Sequence, residues 1–207
     1  MRTVQERAVK TRERILYAAS ELFDECGFSA ASISKIMKRA RVTRGAMFFH
    51  FPSKEALAHA VMIEQGNGLE LPSGEDGLQR LVDITLYLAG ELQTNPLLRA
   101  GVRLAIEQGV FGARDDSPYR YWAEEFAGQL RAARKKGELL PEVDVEELAW
   151  MLVGSYSGTQ LLSQISVGRA DLHQRVTVLW RYLLPGIAVP AVLPLVTFSG
   201  QWDRAAA

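Results

Sequence analysis

Residues Ser32–Phe51 read SISKIMKRARVTRGAMFFHF and admit few folds. Ser32 is a strong helix N-cap, and Ile33, Ile36 and Met37 follow helical spacing until the pattern stops near Ala40. Thr43 caps again, a second helix covers about Arg44–His50, and Pro52 breaks the chain. Two helices this short are not stable alone in water, so a neighbour must supply their packing face. The preceding stretch can do so. From about Val9 to Glu25, Ile15, Leu16, Ala19, Leu22 and Phe23 form one buried stripe. Gly27 then stands where a C′ glycine belongs, with Phe28 as a contact back onto the helix. Two short helices joined by a three-residue turn make a helix-turn-helix, whose second helix lies in the major groove of DNA.

The charge distribution supports that reading once the chain is divided. All 207 residues together carry no net charge. Residues 1–60 hold 11 Lys and Arg against 6 Asp and Glu, a net of +5. Residues 61–207 hold 13 against 18, a net of −5. A basic head attracts phosphates, and an acidic body keeps off the duplex.

Roles within the head follow from chemistry. Thr43, His50 and Lys54 are placed to touch phosphates, beside the backbone N–H groups opening the third and fourth helices. Arg44 is the candidate for a guanine edge, with phosphate as the alternative. Lys35 and Lys38 reach the backbone electrostatically, and Gly45 and Ala46 carry too little bulk to hold the helix off the DNA. Phe48 and Phe51 read as core. Ser53 caps a fourth helix, Lys54 to about Gln65, with Glu55 in its first turn.

Residues 66–77 contain four glycines and a proline, which marks a junction. The division is therefore a head over 1–55, a connecting helix to about 66, and a body over 67–207. Helices resume at about 78–94, 96–110, 117–136, 145–163 and 172–184, and the strand signal is weak throughout. The fold class is all-α. Cys26 is the single cysteine and reads as a small core residue, so no intrachain disulfide forms. There is no signal-peptide pattern at the N-terminus, and the apolar 187–198 segment is interrupted by Pro190 and Pro194. These features point to a cytoplasmic, nucleoid-associated protein with no membrane partner. His50, His59 and His173 are scattered, and no nucleophile triad, zinc-ligand spacing or phosphate loop occurs. Neither enzyme chemistry nor a cofactor or metal is expected.

The stretch from Phe23 to Val61 resembles the DNA-binding signature of TetR-family transcriptional repressors. The likeness rests on Phe23–Gly27–Phe28, Val42–Thr43, Gly45, the Phe48–Phe51 aromatic–x–His–Phe run, and Lys54–Glu55. It implies an all-helical homodimer on a palindromic operator, released by a small molecule in the C-terminal domain. It also implies that Thr43, Arg44, His50 and Lys54 contact DNA. Two residues depart from the pattern. Arg41 replaces the usual turn glycine, and a left-handed arginine there costs about 1 kcal/mol while offering DNA a guanidinium. Phe48 replaces a common tyrosine and so loses a phosphate hydrogen bond.

The run RVTRGAMFFHFPSKEALAHAV, Pro96–Ala105, Trp122, the VDVEELA segment and the Ser155–Gly158–Thr159 helix resemble the γ-butyrolactone receptors within that family. That likeness implies control of antibiotic biosynthesis and an inducer of the γ-butyrolactone, butenolide or furan type. It also places Trp122 at the ligand pocket. Tyr87, Trp122, Gln129, Tyr156 and Gln160 are polar or amphipathic residues on apolar helices, as a small-molecule pocket needs. Arg99 or Arg103 would pair with a ligand carboxylate, or Arg99 with a structural acid. The last two long helices are apolar, and Gly154, Ser155, Ser157 and Gly158 permit close approach, which suits a four-helix dimer interface. The alternative is a constitutive or multidrug-sensing TetR-like repressor.

Overall fold

A computed structural model describes residues 4–198. The described residues are helical, apart from turns and one isolated bridge between Leu139 and Ala188. The helices are α1 (Val4–Ala30), α2 (Ile33–Ala40), α3 (Arg44–His50), α4 (Lys54–Ile63), α5 (Leu78–Thr94), α6 (Pro96–Glu107), α7 (Ser117–Lys135), α8 (Val145–Val167) and α9 (Leu172–Leu183). The all-α expectation holds. No described helix is long and apolar enough to cross a membrane.

The chain forms two compact units. The first comprises residues up to Leu69 together with Asn95–Pro118. Reading along the sequence places Asn95–Pro118 in the body, yet α6 packs against α1 and α4. The local pattern of α6 specifies a helix with an apolar stripe but not the surface that buries it. Asn95 caps α6, accepting from the Leu97 and Leu98 amides at 3.0 and 3.2 Å, and Pro96 follows at the first turn, where its missing N–H costs nothing. The core of this unit is the expected α1 stripe of Ile15, Leu16, Ala19, Leu22 and Phe23, joined by Ile36, Met47, Phe51, Leu57 and Leu104. Burying each large apolar side chain contributes about 1.5–3 kcal/mol.

Helix α1 runs past its expected end. Gly27, at φ 73° and ψ 178°, breaks the helical path, and a last short turn carries on to Ala30. That backbone region is open essentially to glycine alone. Cys26 lies half-buried, with its thiol directed at the Leu22 carbonyl 3.1 Å away.

The second unit comprises Glu70–Thr94 and the described chain from Tyr119 to Phe198. Trp180 of α9 is fully buried, and its indole N–H donates to Thr85 Oγ1 of α5 at 2.7 Å. Asp144 caps α8, and Gly168 ends it in a left-handed conformation, as the glycine's position predicts. The apolar tail forms no α-helix, only the bridge at Ala188, turns and a short 3-10 helix at Leu193–Leu195. The Leu140 amide donates to the Ile187 carbonyl and the Val189 amide to the Glu138 carbonyl, while Thr197 and Gln79 exchange hydrogen bonds. Ile187, Ala188 and Val196 are thereby buried.

Candidate functional site

The turn between α2 and α3 is built by short-range hydrogen bonds. Ser32 Oγ accepts from the Lys35 amide at 3.3 Å, Thr43 Oγ1 from the Ala46 amide at 3.3 Å, and Ser53 Oγ from the Ala56 amide at 3.1 Å. Arg41 adopts φ 53° and ψ 51°, the left-handed conformation expected of it. Its amide donates to Lys38, and the Val42 amide reaches back to Met37. Arg14 of α1 secures this turn from outside, donating from Nη2 to the carbonyls of Ala40 and Arg41 at 3.0 and 3.1 Å. Nothing in the local pattern around Arg14 points to a turn 26 residues away.

On the exposed side of this motif stand Lys35, Lys38, Arg41, Thr43, Arg44 and Gly45, with Ala46 half-exposed. Arg39 differs in being held by Glu25 at 2.7 Å, and this guanidinium keeps the Glu25 carboxyl below its usual range. The Thr43 hydroxyl oxygen serves as the cap, which leaves its O–H free to donate outward. The Arg44 guanidinium lies over the Phe48 ring, 5.2 Å from its centroid. Phe51 is buried and Phe48 half-buried, so the core expectation is met fully only by Phe51. His50 is half-buried, its ring edge-on to Phe49 at 5.0 Å. Phe49 itself is 79% exposed. Three aromatics in a four-residue window of a packed helix cannot all face inward, and that spacing is the sequence signal for the exposure of Phe49.

Lys54 is half-buried at the start of α4. Its ammonium sits 4.3 Å from the Phe28 ring centroid and donates to the Ser29 carbonyl at 3.4 Å. Phe28 stacks in turn on Phe23 and lies tilted against Phe111. Three residues of α6, spaced four apart, grip the same end of α1. Arg99 pairs with Asp24, Arg103 Nη1 donates to the Asp24 carbonyl at 2.9 Å, and the Glu107 carboxylate accepts from the Phe28 amide at 3.0 Å. Arg103 and Glu107 also pair with each other at 2.8 Å. Arg99 is thus a structural ion-pair partner within the first unit. Both guanidiniums offered for a ligand carboxylate hold protein partners, Arg99 on Asp24 and Arg103 on the Asp24 carbonyl and Glu107.

The remaining ligand candidates lie in the second unit. Tyr87 is buried, and its hydroxyl accepts from the Glu70 amide at 3.2 Å. Burial pushes its phenol above the usual tyrosine range. Gln129 accepts from the Gly77 amide at 3.1 Å and donates to Asp76 at 3.0 Å, so it fastens the turn before α5. Gln160 is buried, and its carbonyl oxygen accepts from the Arg169 guanidinium at 3.1 and 3.4 Å. Trp122 is half-buried beside Phe126 and Tyr121. Tyr156 is different. Its hydroxyl is enclosed and has no hydrogen-bond partner, and burial drives its pKa strongly upward. Tyr156 and Gln160 stand one turn apart on α8. Among the described residues no group of His, Cys, Asp and Glu is arranged to hold a metal ion.

Residues 15–61 match the family model described as bacterial regulatory proteins, tetR family. Residues 75–190 match the tetracyclin repressor-like C-terminal domain. The chain is 42% identical over 202 residues to the A-factor receptor protein of Streptomyces griseus, covering 98% of this chain and 72% of that protein. The crystal structure of TylP, a TetR regulator from Streptomyces fradiae, superposes with a TM-score of 0.82 at 43% identity, covering 98% of this chain and 90% of that one. A γ-butyrolactone receptor described as ArpA-like superposes with a TM-score of 0.68 at 31% identity, covering 89% of this chain and 92% of that one.

Proposed function

The chain belongs to the tetR family of bacterial regulatory proteins, and from that premise we propose that it is a dimeric, inducer-released repressor of operator DNA. The observation that carries this reading is the exposed face of α2–α3. Five cationic or hydroxyl side chains, Lys35, Lys38, Arg41, Thr43 and Arg44, surround a helix opening that Gly45 leaves bare. Together with His50 and Lys54 they suit phosphate contacts on both sides of a major groove, and Arg44 suits a guanine edge.

Two copies place two such heads on successive half-sites of a palindrome. The exposed apolar residues of α8 and α9 support pairing there. Trp150, Met151, Leu162, Ile165 and Val167 lie open on α8, and Tyr182 on α9. A Cβ built on Gly154 or Gly158 meets nothing within 4 Å, so both positions leave room for a partner helix.

The inducer is a γ-butyrolactone, butenolide or furan-type signal, and the regulated genes include those of antibiotic biosynthesis. The relatives described as an A-factor receptor and a γ-butyrolactone receptor support this class. Tyr156, with its enclosed and unpartnered hydroxyl, and Trp122 are the residues best suited to meet the ligand. Tyr87, Gln129 and Gln160 already hold protein partners and would line the site at most through their remaining faces.

The test is a gel shift with a palindromic fragment from the protein's own promoter region, followed by calorimetry and release assays with butyrolactones, butenolides and furan carboxylic acids. Specific binding reversed by one class is the expected result. Failure to bind any specific duplex overturns the repressor reading. Silence with all three classes selects a constitutive repressor, and release by many unrelated apolar cations selects a multidrug sensor.

A further inference from the structure

Resting on the DNA-binding reading, we propose that Phe49 is a specificity-determining residue that reads thymine through its C5 methyl group. Met47 is fully buried and marks the inward side of α3. At about 100° per residue, Gly45 and Phe49 each fall within about 20° of the opposite side. The outward ridge of α3 is therefore bare backbone at Gly45 and, one turn later, a phenyl ring 79% exposed.

The flanks are already occupied. Arg44 covers Phe48 on one side, and the His50 ring stands edge-on to Phe49 on the other. Lys35, Lys38 and Arg41 are exposed on α2 and the turn and supply cations for phosphate. A phenyl ring offers no hydrogen bond, so it contributes nothing to reading donors and acceptors. The major groove presents one apolar group, the thymine methyl, and aromatic or aliphatic side chains discriminate by contact with it. Gly45 lets the helix sink far enough for the ring to reach the base edges.

The experiment uses the full-length protein and an operator duplex recovered by selection from a random library. Each thymine is replaced in turn by deoxyuridine, which removes only the C5 methyl. At one or two positions per half-site, the wild-type protein is expected to lose about fourfold in affinity, equivalent to about 0.8 kcal/mol for a methyl-sized contact. Phe49→Ala should bind thymine and uracil duplexes equally well at those positions. Phe49→Leu, which keeps apolar surface, should retain part of the discrimination. Unchanged wild-type affinity at every thymine-to-uracil position overturns the proposal, as does a Phe49→Ala protein that stays fully sensitive to uracil. Recovery of no specific duplex overturns the DNA-binding reading itself, and this proposal with it.

Discussion

Arg99 of α6 donates from Nε and Nη2 to one oxygen of Asp24 on α1, at 2.8 and 2.7 Å. Both side chains are mostly buried, with 25% and 20% of their surface exposed. The pair ties a helix 75 residues downstream to the end of the helix that supports the helix-turn-helix. Arg103 and Glu107 complete the grip, and Gly27 makes room for it. A Cβ at Gly27 would lie 2.6 Å from Arg103 Nη2.

Asp24→Asn should therefore destabilise the first unit by about 1–3 kcal/mol, since the guanidinium keeps its cavity and loses its counter-charge. Gly27→Ala should cost a similar amount, from left-handed strain plus the collision with Arg103. Urea melts of the full chain measure both. A change under about 0.5 kcal/mol, the range of ordinary surface substitutions, would remove the grip from the stability argument.

Lys54 and Thr43 are expected to separate charge from capping. Lys54→Ala should weaken binding of all duplexes alike and reduce the slope of log affinity against log salt by about 1. Thr43→Val should leave that slope unchanged. It should lower protein stability by about 1 kcal/mol, because the Ala46 amide loses its cap. Salt titrations paired with thermal melts distinguish the two patterns, and an unchanged slope for Lys54→Ala would place its ammonium away from phosphate.

Arg41 holds a left-handed conformation that glycine adopts without strain. Arg41→Gly should raise stability by up to about 1 kcal/mol. The same substitution should weaken DNA binding, with a slope reduced by about 1. Gain in one and loss in the other would mark a residue retained for binding. A stabilised protein with undiminished binding would assign Arg41 no DNA role.

Burial raises the Asp83 carboxyl above its ordinary range, against a smaller opposing effect from Gln79, which donates to it at 2.9 Å. The folded protein thus holds this proton where the unfolded chain has released it. Stability falls as pH rises from about 3.9, the unfolded value, through the raised folded value, and is level above that. Asp83→Asn should raise the Tm at pH 7, keep the bond from Gln79, and lose its advantage at lower pH. Equal melting of variant and wild type at pH 7 would contradict this.

Much of the first unit was legible because its signals are local. The caps at Ser32, Thr43 and Ser53 act within three residues, so composition and spacing reveal them directly. The left-handed Arg41 was legible through the family resemblance alone, because it stands where that pattern carries a turn glycine. The ligand candidates were less legible. Their polarity on apolar helices announces that each needs a partner, not which one. Gln129 finds the Gly77 amide 52 residues away, and Gln160 finds Arg169. Tyr156 alone retains an enclosed hydroxyl without a partner among the candidates.

The amino-acid order settled the helices, their caps, the helix-turn-helix and the bias of charge toward the head, because each depends on neighbours within a turn or two. Packing settled three things that no local pattern encodes. It brought α6 to the end of α1 through Arg99, Arg103 and Glu107. It buried Met47 and left Phe48 only half-covered, with Phe49 on the outer ridge of α3. It spent Tyr87, Gln129 and Gln160 on internal bonds. A helical stripe defines which side chains share a face. Which face is buried, and against what, is decided by contacts across tens of residues, where burial of apolar area and pairing of polar groups are satisfied together.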